Sequence, residues 1–332
     1  MPYNLPLETI YAARERIAPY IRHTPLAPLP NIGAGIPEHV RLKLENLQVA
    51  GSFKSRGVFN TLLQLNSQQR SRGVITASGG NHGVALAMAA HRLGIPATVY
   101  LAETATPDRV ARVARWNAQL IQHGRVWDEA HARAVAHAAE SDLYYVHPFD
   151  AEATIAGQST LGLELLEDLP EVDCVLIAIG GGGLIGGMAA AIKQLKPSVR
   201  IIGVEPVGAA SMTASVVAGH VEPLADVQTI ADTLALRAVC DRTLDLVEQY
   251  VDDLVLVDDR AMLDAMRWLW MSHNQIVEPS GAAVLAAIMT GAADVGGYQC
   301  PAALICGGNA GAEPIWENYR SAAIAKGSWK TG

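Results

Sequence analysis

Nineteen consecutive residues without a charge, CVLIAIGGGGLIGGMAAAI at positions 174–192, constrain this chain more than any other segment. The run is long enough to cross a bilayer as a helix, which takes about 20 apolar residues. Six glycines inside it argue against a membrane span, because glycine weakens a helix interior. The segment reads instead as a buried strand, a glycine turn and a packed helix, since central strands of a parallel sheet are themselves unbroken apolar runs. The same order recurs elsewhere. Residues 73–77 (GVITA) read as a strand, 78–83 as a turn, 84–93 as a helix and 97–101 as the next strand. Residues 201–204 supply the strand after the first unit, and a helix at 282–289 precedes a strand at 302–305. Pro170 and Pro197 fall where helices should stop. Strands alternating with Ala-rich helices predict an α/β protein built on parallel sheets.

Charge narrows the partners. Among 332 residues, 25 Lys and Arg face 33 Asp and Glu, a net charge of −8, and no basic cluster occurs. A nucleic-acid or anionic-membrane surface therefore lacks its electrostatic footprint, and a small molecule is the expected partner. The cysteines Cys174, Cys240, Cys300 and Cys306 form no C-x-x-C pair, and no H-E-x-x-H or Cys/His cluster offers metal spacing. No metal is expected, and the thiols suit a reducing compartment. Glu8, Arg14, Glu15 and Arg16 interrupt the N-terminal segment where a secretory signal needs an apolar run, so a cytoplasmic location is expected. The length allows about two domains.

Three turns carry chemistry. The glycines at 180–183 stand between a strand and a helix, where backbone N–H groups and the helix dipole favour a phosphate. The same glycines parse as G-x-G-x-x-G (Gly181, Gly183, Gly186) with Glu205 about twenty residues on, the dinucleotide fingerprint of a dehydrogenase. No Gly-Lys-Ser/Thr follows, which excludes a P-loop. The second turn, SGGNHG at 78–83, is either a nest of donors for a carboxylate, with the Asn81 amide beside it, or a helix cap. In the third, Lys54 precedes a helical stretch at 58–65, where the positive helix pole disfavours a cation and favours a free, reactive amine. Cys306, closing an apolar strand, reads on its own as a core thiol.

Taken together these segments resemble the fold type II pyridoxal phosphate enzymes, within them the serine/threonine dehydratase and serine racemase group. The motifs run in order: S-F-K-x-R-G at 52–57, G-N-H-G at 80–83, I-A-G-Q at 155–158 and the tetraglycine at 180–183. V-E-P at 204–206, T-I-A-D at 229–232, E-P-S-G-A at 278–282 and C-G-G-N at 306–309 complete the series. The resemblance implies two open, twisted parallel-sheet α/β domains. Residues 1–70 and 151–332 would form a large cofactor-binding domain, with a small domain, 71–150, inserted in it. It implies pyridoxal 5′-phosphate as cofactor and a homodimer or higher homo-oligomer. Lys54 would be the Schiff-base lysine that then moves the Cα proton. Gly180, Gly181, Gly182, Gly183 and the N–H of Leu184 would hold the phosphate. Asn81 would bond the ring's 3-oxygen, Phe53 would pack beside the ring, and Cys306 would face the pyridine nitrogen. Ser78, Gly79, Gly80, Asn81 and His82 would take the substrate carboxylate, His82 also making local hydrogen bonds.

The activity implied is dehydration and deamination of a β-hydroxy amino acid such as L-threonine or L-serine, giving a 2-oxo acid and ammonia. Alternatives are a dehydratase for 3-hydroxyaspartate or phenylserine, a racemase, and a non-catalytic cofactor-binding protein. Residues 147–150 (HPFD) would help choose among substrates. Two departures matter. Gly79 stands where racemases of the group resemble one another in carrying a proton-bearing serine, which argues against racemisation. The cation site of some members would fall at Glu205, Ala209 and Ser211, and serine replaces a carboxylate poorly there. Glu278 either faces the cofactor or caps its helix. A regulatory domain like that of the biosynthetic threonine dehydratases is not expected after Asn309.

Overall fold

A computed structural model describes residues 2–29 and 35–311. Two sheets organise them. The larger has six strands, β1 (Leu26–Pro28), β2 (Arg41–Leu44), β7 (Cys174–Ala178), β8 (Arg200–Pro206), β9 (Asp253–Val257) and β10 (Pro301–Ile305). Their order is β1-β2-β10-β7-β8-β9. The smaller has four, β3 (Val74–Ala77), β4 (Ala97–Leu101), β5 (Gln119–Gln122) and β6 (Tyr144–Tyr145), in the order β5-β4-β3-β6. Every pairing is parallel except β1 with β2.

Burial explains which segments became central strands. Every residue of β7 and of β10 is buried, as is every residue of β3, and these are apolar runs without alternation. The sheet edge at β9 alternates less cleanly and is half exposed. The 174–192 run resolves into β7, the glycine loop and a helix, α8 (Gly183–Leu195). Among the described residues no helix is long and apolar enough to cross a membrane.

The other helices are α1 (Leu7–Ile17), α2 (Lys54–Leu63), α3 (Ser67–Arg72), α4 (Asn81–Leu93), α5 (Pro107–Ala114) and α6 (Trp127–Ser141). They continue with α7 (Glu152–Asp168), α9 (Ser211–Ala218), α10 (Asp241–Tyr250), α11 (Asp259–His273) and α12 (Pro279–Met289). Helix α7 packs on α8, on α1 and on α2, and α12 lies between α11 and the large sheet. Helices α2, α4 and α12 begin three or four residues before the apolar periodicity suggests. Their first turns consist mostly of polar residues, Pro and Gly, which leave no apolar repeat from which a start can be read. The consequence is functional: Lys54, Asn81 and His82 lie on rigid helix ends rather than on loops.

Candidate active site

Lys54 is the first residue of α2, and its Nζ donates to the carbonyl of Pro148 at 2.7 Å, 5.1 Å from the centre of the Phe53 ring. Burial lowers its pKa from 10.5 to about 8, outweighing the opposing influence of Cys306 and Glu278. The helix pole was the expected cause of a free amine; desolvation is the larger one.

The glycine loop follows β7 and opens into α8, whose first N–H groups have no acceptor within the helix. A Cβ on Gly181 would fall on the ring of Phe149, so the loop packs this closely only because it carries no side chain there. Gly186 serves a different purpose from the one a dinucleotide fingerprint requires, giving room to Leu246 of α10. Glu205 also departs from that reading. Its buried carboxylate accepts the N–H groups of Met212 and Thr213, each at 2.8 Å, and the Thr213 hydroxyl at 2.6 Å. It holds the first turn of α9, and burial raises its pKa. A ribose hydroxyl has no place in this arrangement, which removes the dehydrogenase reading.

The SGGNH turn ends β3 and starts α4. Asn81 donates through Nδ2 to Glu278 and accepts at Oδ1 from Asn309 Nδ2 at 2.6 Å. His82 is 2% exposed, and its Nε2 lies 3.0 Å from the carbonyl of Val146 while Nδ1 has no partner among the described residues. This bond spans 64 residues, so the local hydrogen bonding expected for His82 is corrected: it ties α4 to the segment after β6. Burial, and next the charge of Lys54, lower its pKa to about 3, leaving a neutral imidazole. Glu278 occupies the N-cap position of α12 yet makes no capping bond; its carboxyl turns to Asn81 and to Ser280 Oγ at 2.6 Å. The capping alternative therefore fails, and burial raises the Glu278 pKa. Cys306 follows β10 and donates to the carbonyl of Ser280 at 3.4 Å. Burial pushes its thiol up to about 12, so it is neutral.

Phe53, Lys54, the residues of 78–82, those of 180–184 and Cys306 line one cavity of about 440 Å³, whereas Gly186 and Glu205 lie outside its lining and Glu278 reaches it only through Asn81 and Ser280. Of the HPFD segment, Pro148 and Phe149 reach the cavity. His147 instead accepts the N–H of Asp150 at 2.7 Å, and Asp150 pairs with Arg242 at 2.9 Å. Sequence reasoning missed the outer wall. Thr233 and Leu234 pack against Gly180 of the loop, Trp127 lines the same cavity, and the Arg109–Asp232 and Arg237–Asp128 ion pairs join residues of its wall. The T-I-A-D motif was visible, but nothing in it named its partner on α5. Among the described residues one group has metal-ligand spacing, His23, Glu164 and Asp168, and the Lys43 ammonium already bonds both carboxylates at 2.7 and 2.6 Å.

A low-pKa amine, a run of unpaired N–H donors, a primary amide and a neutral thiol around one cavity fit pyridoxal phosphate. The profile of the family described as "Pyridoxal-phosphate dependent enzyme" matches residues 17–307. The chain belongs to that family. An L-threonine ammonia-lyase of Thermotoga maritima is 37% identical over 326 residues, covering 98% of this chain and 80% of the relative. A serine racemase of Oryza sativa subsp. indica is 39% identical over 289 residues, covering 87% and 85%. Among solved structures, maize serine racemase superposes with a TM-score of 0.92 at 34% identity, over 98% of this chain and 99% of the other. The enzyme is thus a fold type II pyridoxal phosphate protein, as its motif order implied, and pyridoxal 5′-phosphate is its cofactor.

Proposed function

We propose that the enzyme removes water from a β-hydroxy amino acid of the L-threonine or L-serine type and releases a 2-oxo acid and ammonia. The observation that carries this reading is Lys54, an amine with its pKa near 8 in the same cavity as the glycine loop and as Gly79, which has no side chain to carry a proton. When bound, pyridoxal phosphate supplies the aldehyde that captures the substrate amine and the conjugated ring that accepts the electron pair left at Cα. The N–H groups of residues 180–184 would hold the phosphate, the Asn81 amide would donate to the ring's 3-oxygen, and Phe53 would pack beside the ring. The backbone of residues 78–82 orients the substrate carboxylate. Lys54, free as an amine, would accept the Cα proton and, as the ammonium so formed, return it to the β-hydroxyl, which would leave as water; a water molecule would then hydrolyse the released enamine to the 2-oxo acid and ammonia. Cys306, a neutral thiol in the cavity wall, would hold the ring nitrogen without transferring a proton to it.

A dicarboxylic substrate such as 3-hydroxyaspartate is the second reading, favoured by Arg109, Arg125 and Arg237 in the cavity wall. Arg109 and Arg237 already pair with Asp232 and Asp128, which weakens it. A panel of L-threonine, L-serine, 3-hydroxyaspartate and phenylserine, assayed for 2-oxo acid and ammonia with added cofactor, separates these. No product from any of the four sinks the proposal. Racemisation is read from D-serine by chiral chromatography. A Cβ at Gly79 meets its nearest neighbour, Leu101, at 3.4 Å, so Gly79→Ser fits the space. This variant is expected to fold normally and to raise D-serine formation above that of the wild type, and substantial D-serine from the wild type would contradict the role given to Gly79.

A further inference from the structure

Glu278 and Asn309 belong to two of the motifs and have no part in the reaction outlined above, yet both grip Asn81. Asn309 Nδ2 donates to Asn81 Oδ1 at 2.6 Å and to the carbonyl of Ala50 at 2.9 Å. On the other side, Asn81 Nδ2 donates to Glu278 Oε1, which also accepts Ser280 Oγ at 2.6 Å. A primary amide has nearly the same shape when turned end for end, so only the polarity of its partners decides which end faces where. Here polarity starts from a backbone carbonyl, which only accepts. Ala50 therefore requires the NH2 of Asn309, which requires the carbonyl of Asn81 on its own side and the NH2 of Asn81 toward Glu278. Two glycines make room for the arrangement. A Cβ on Gly51 would meet Asn309 Oδ1 at 2.5 Å, and one on Gly307 would overlap the Glu278 carboxyl.

We propose that Glu278 and Asn309 are positioning residues that lock the Asn81 amide with its NH2 group, rather than its carbonyl, turned to the cofactor's ring oxygen. The inference rests on the reading above, in which Asn81 meets that oxygen. One hydrogen of Nδ2 is held by Glu278 and the other is left for the ring. An inverted amide would set carbonyl lone pairs against an anionic oxygen and lose a charge-assisted hydrogen bond. The lock also accounts for a buried carboxyl that caps nothing, because Glu278 finds donors in Asn81 and Ser280 instead of water.

The test compares three variants in the full chain loaded with pyridoxal phosphate. Asn309→Asp replaces the donor by an acceptor and turns the Asn81 amide over. Asn309→Ala removes the donor but leaves Glu278 holding the NH2, and Glu278→Gln keeps an acceptor oxygen for it. The readouts are the cofactor dissociation constant, the visible band of the bound cofactor with its pH titration, which reports ionisation of the ring oxygen, and thermal melting. Asn309→Asp is expected to raise the dissociation constant about tenfold or more and to shift the band, the other two remaining within about threefold of wild type. Equal behaviour of Asn309→Asp and Asn309→Ala, or an unshifted band in the former, overturns the lock. If Asn309→Asp does not melt cooperatively, the double variant Asn309→Ala/Glu278→Ala, measured beside Asn309→Ala and Glu278→Ala alone, decides. Releasing both ends should weaken binding by more than the two single changes combined, and an additive or absent effect overturns the proposal. A wild type that takes up no cofactor overturns the site assignment and the lock together, whereas normal uptake with unresponsive variants overturns the lock alone.

Discussion

Lys54 owes its chemistry to where its amine is held, with Nζ against the Pro148 carbonyl and its own helix beginning at that residue. With a pKa near 8, about a tenth of the amine is unprotonated at pH 7, against fewer than roughly one in a thousand for an exposed lysine. The sign follows directly: the group is protonated below its depressed pKa, and only the free amine attacks an aldehyde. The rate of cofactor uptake by the apo-protein is therefore expected to fall about tenfold per pH unit below 8 and to level off above it. Stopped-flow absorbance checks this, and a rate still climbing past pH 10 would mean an unperturbed amine. At this scale much was legible in the sequence. A cation at a helix start is a mismatch that points to function, and SFKSRG names the lysine. Asn309 and Glu278 were visible as motif residues, but their target was not, since 228 and 197 residues separate them from Asn81. Hydrogen-bond polarity is a property of partners, and partners this distant appear only in three dimensions.

Elements convert glycine into recognition. The loop between β7 and α8 is read from the sequence without difficulty, because an apolar strand followed by four glycines and an Ala-rich helix has few other solutions. What could not be read is that Phe149 packs on Gly181. Gly181→Ala forces a methyl group into that ring, and such overpacking costs about 1–3 kcal/mol. The expected outcome is a folded protein with lower melting temperature and much weakened cofactor binding, measured by equilibrium dialysis. Enlarging the space with Phe149→Ala in the same chain should restore part of the binding; no restoration would show that the loop fails for another reason. Helix starts were the weaker part of the reading. Apolar periodicity places α2 and α4 three or four residues late, since polar first turns carry no repeat to detect. Glu205 illustrates the opposite error: its spacing from the glycines matched a ribose-binding acid, while its actual work is to hold α9.

At the scale of the whole molecule, the four-stranded sheet uses only residues 74–145, and we propose boundaries near residues 70 and 150 for the inserted unit. Behind the lysine helix lies a buried charge network. Arg56, 1% exposed, bonds Glu45 at 2.7 Å and Glu164 at 2.8 Å, and Lys43 joins Glu164 to Asp168. Burial opposes ionisation of Glu164, but Arg56 and Lys43 prevail and its pKa falls to about 2. That carboxylate's contribution to stability is present above its unfolded pKa near 4.5 and is lost as pH falls through 2. Arg56→Met leaves the buried Glu45 carboxylate without its cation and Glu164 with Lys43 alone, and should cost about 3–5 kcal/mol. Arg133→Ala, which breaks the exposed Arg133–Glu140 pair, should stay within about 1 kcal/mol. Urea unfolding of both variants settles the contrast, and equal losses would mean that the network is not a unit. None of this was apparent from charge counting, which showed only a modest acidic excess.

The strand order has a consequence in time. β10 is inserted between β2 and β7, so the middle of the large sheet comes from residues 301–305 and pairs with a strand some 260 positions earlier. A ribosome releases segments in order, and local units close first. The four-stranded sheet is complete once residue 145 has emerged. The large sheet must wait, its halves unjoined until residues 301–305 are made, and Cys306 arrives directly behind the strand that joins them. A nascent chain stalled before residue 301 would display the lysine and every glycine of the cradle, yet would have no closed pocket in which to keep a vitamin-derived aldehyde. Loading is thereby expected only after residue 306 has been added.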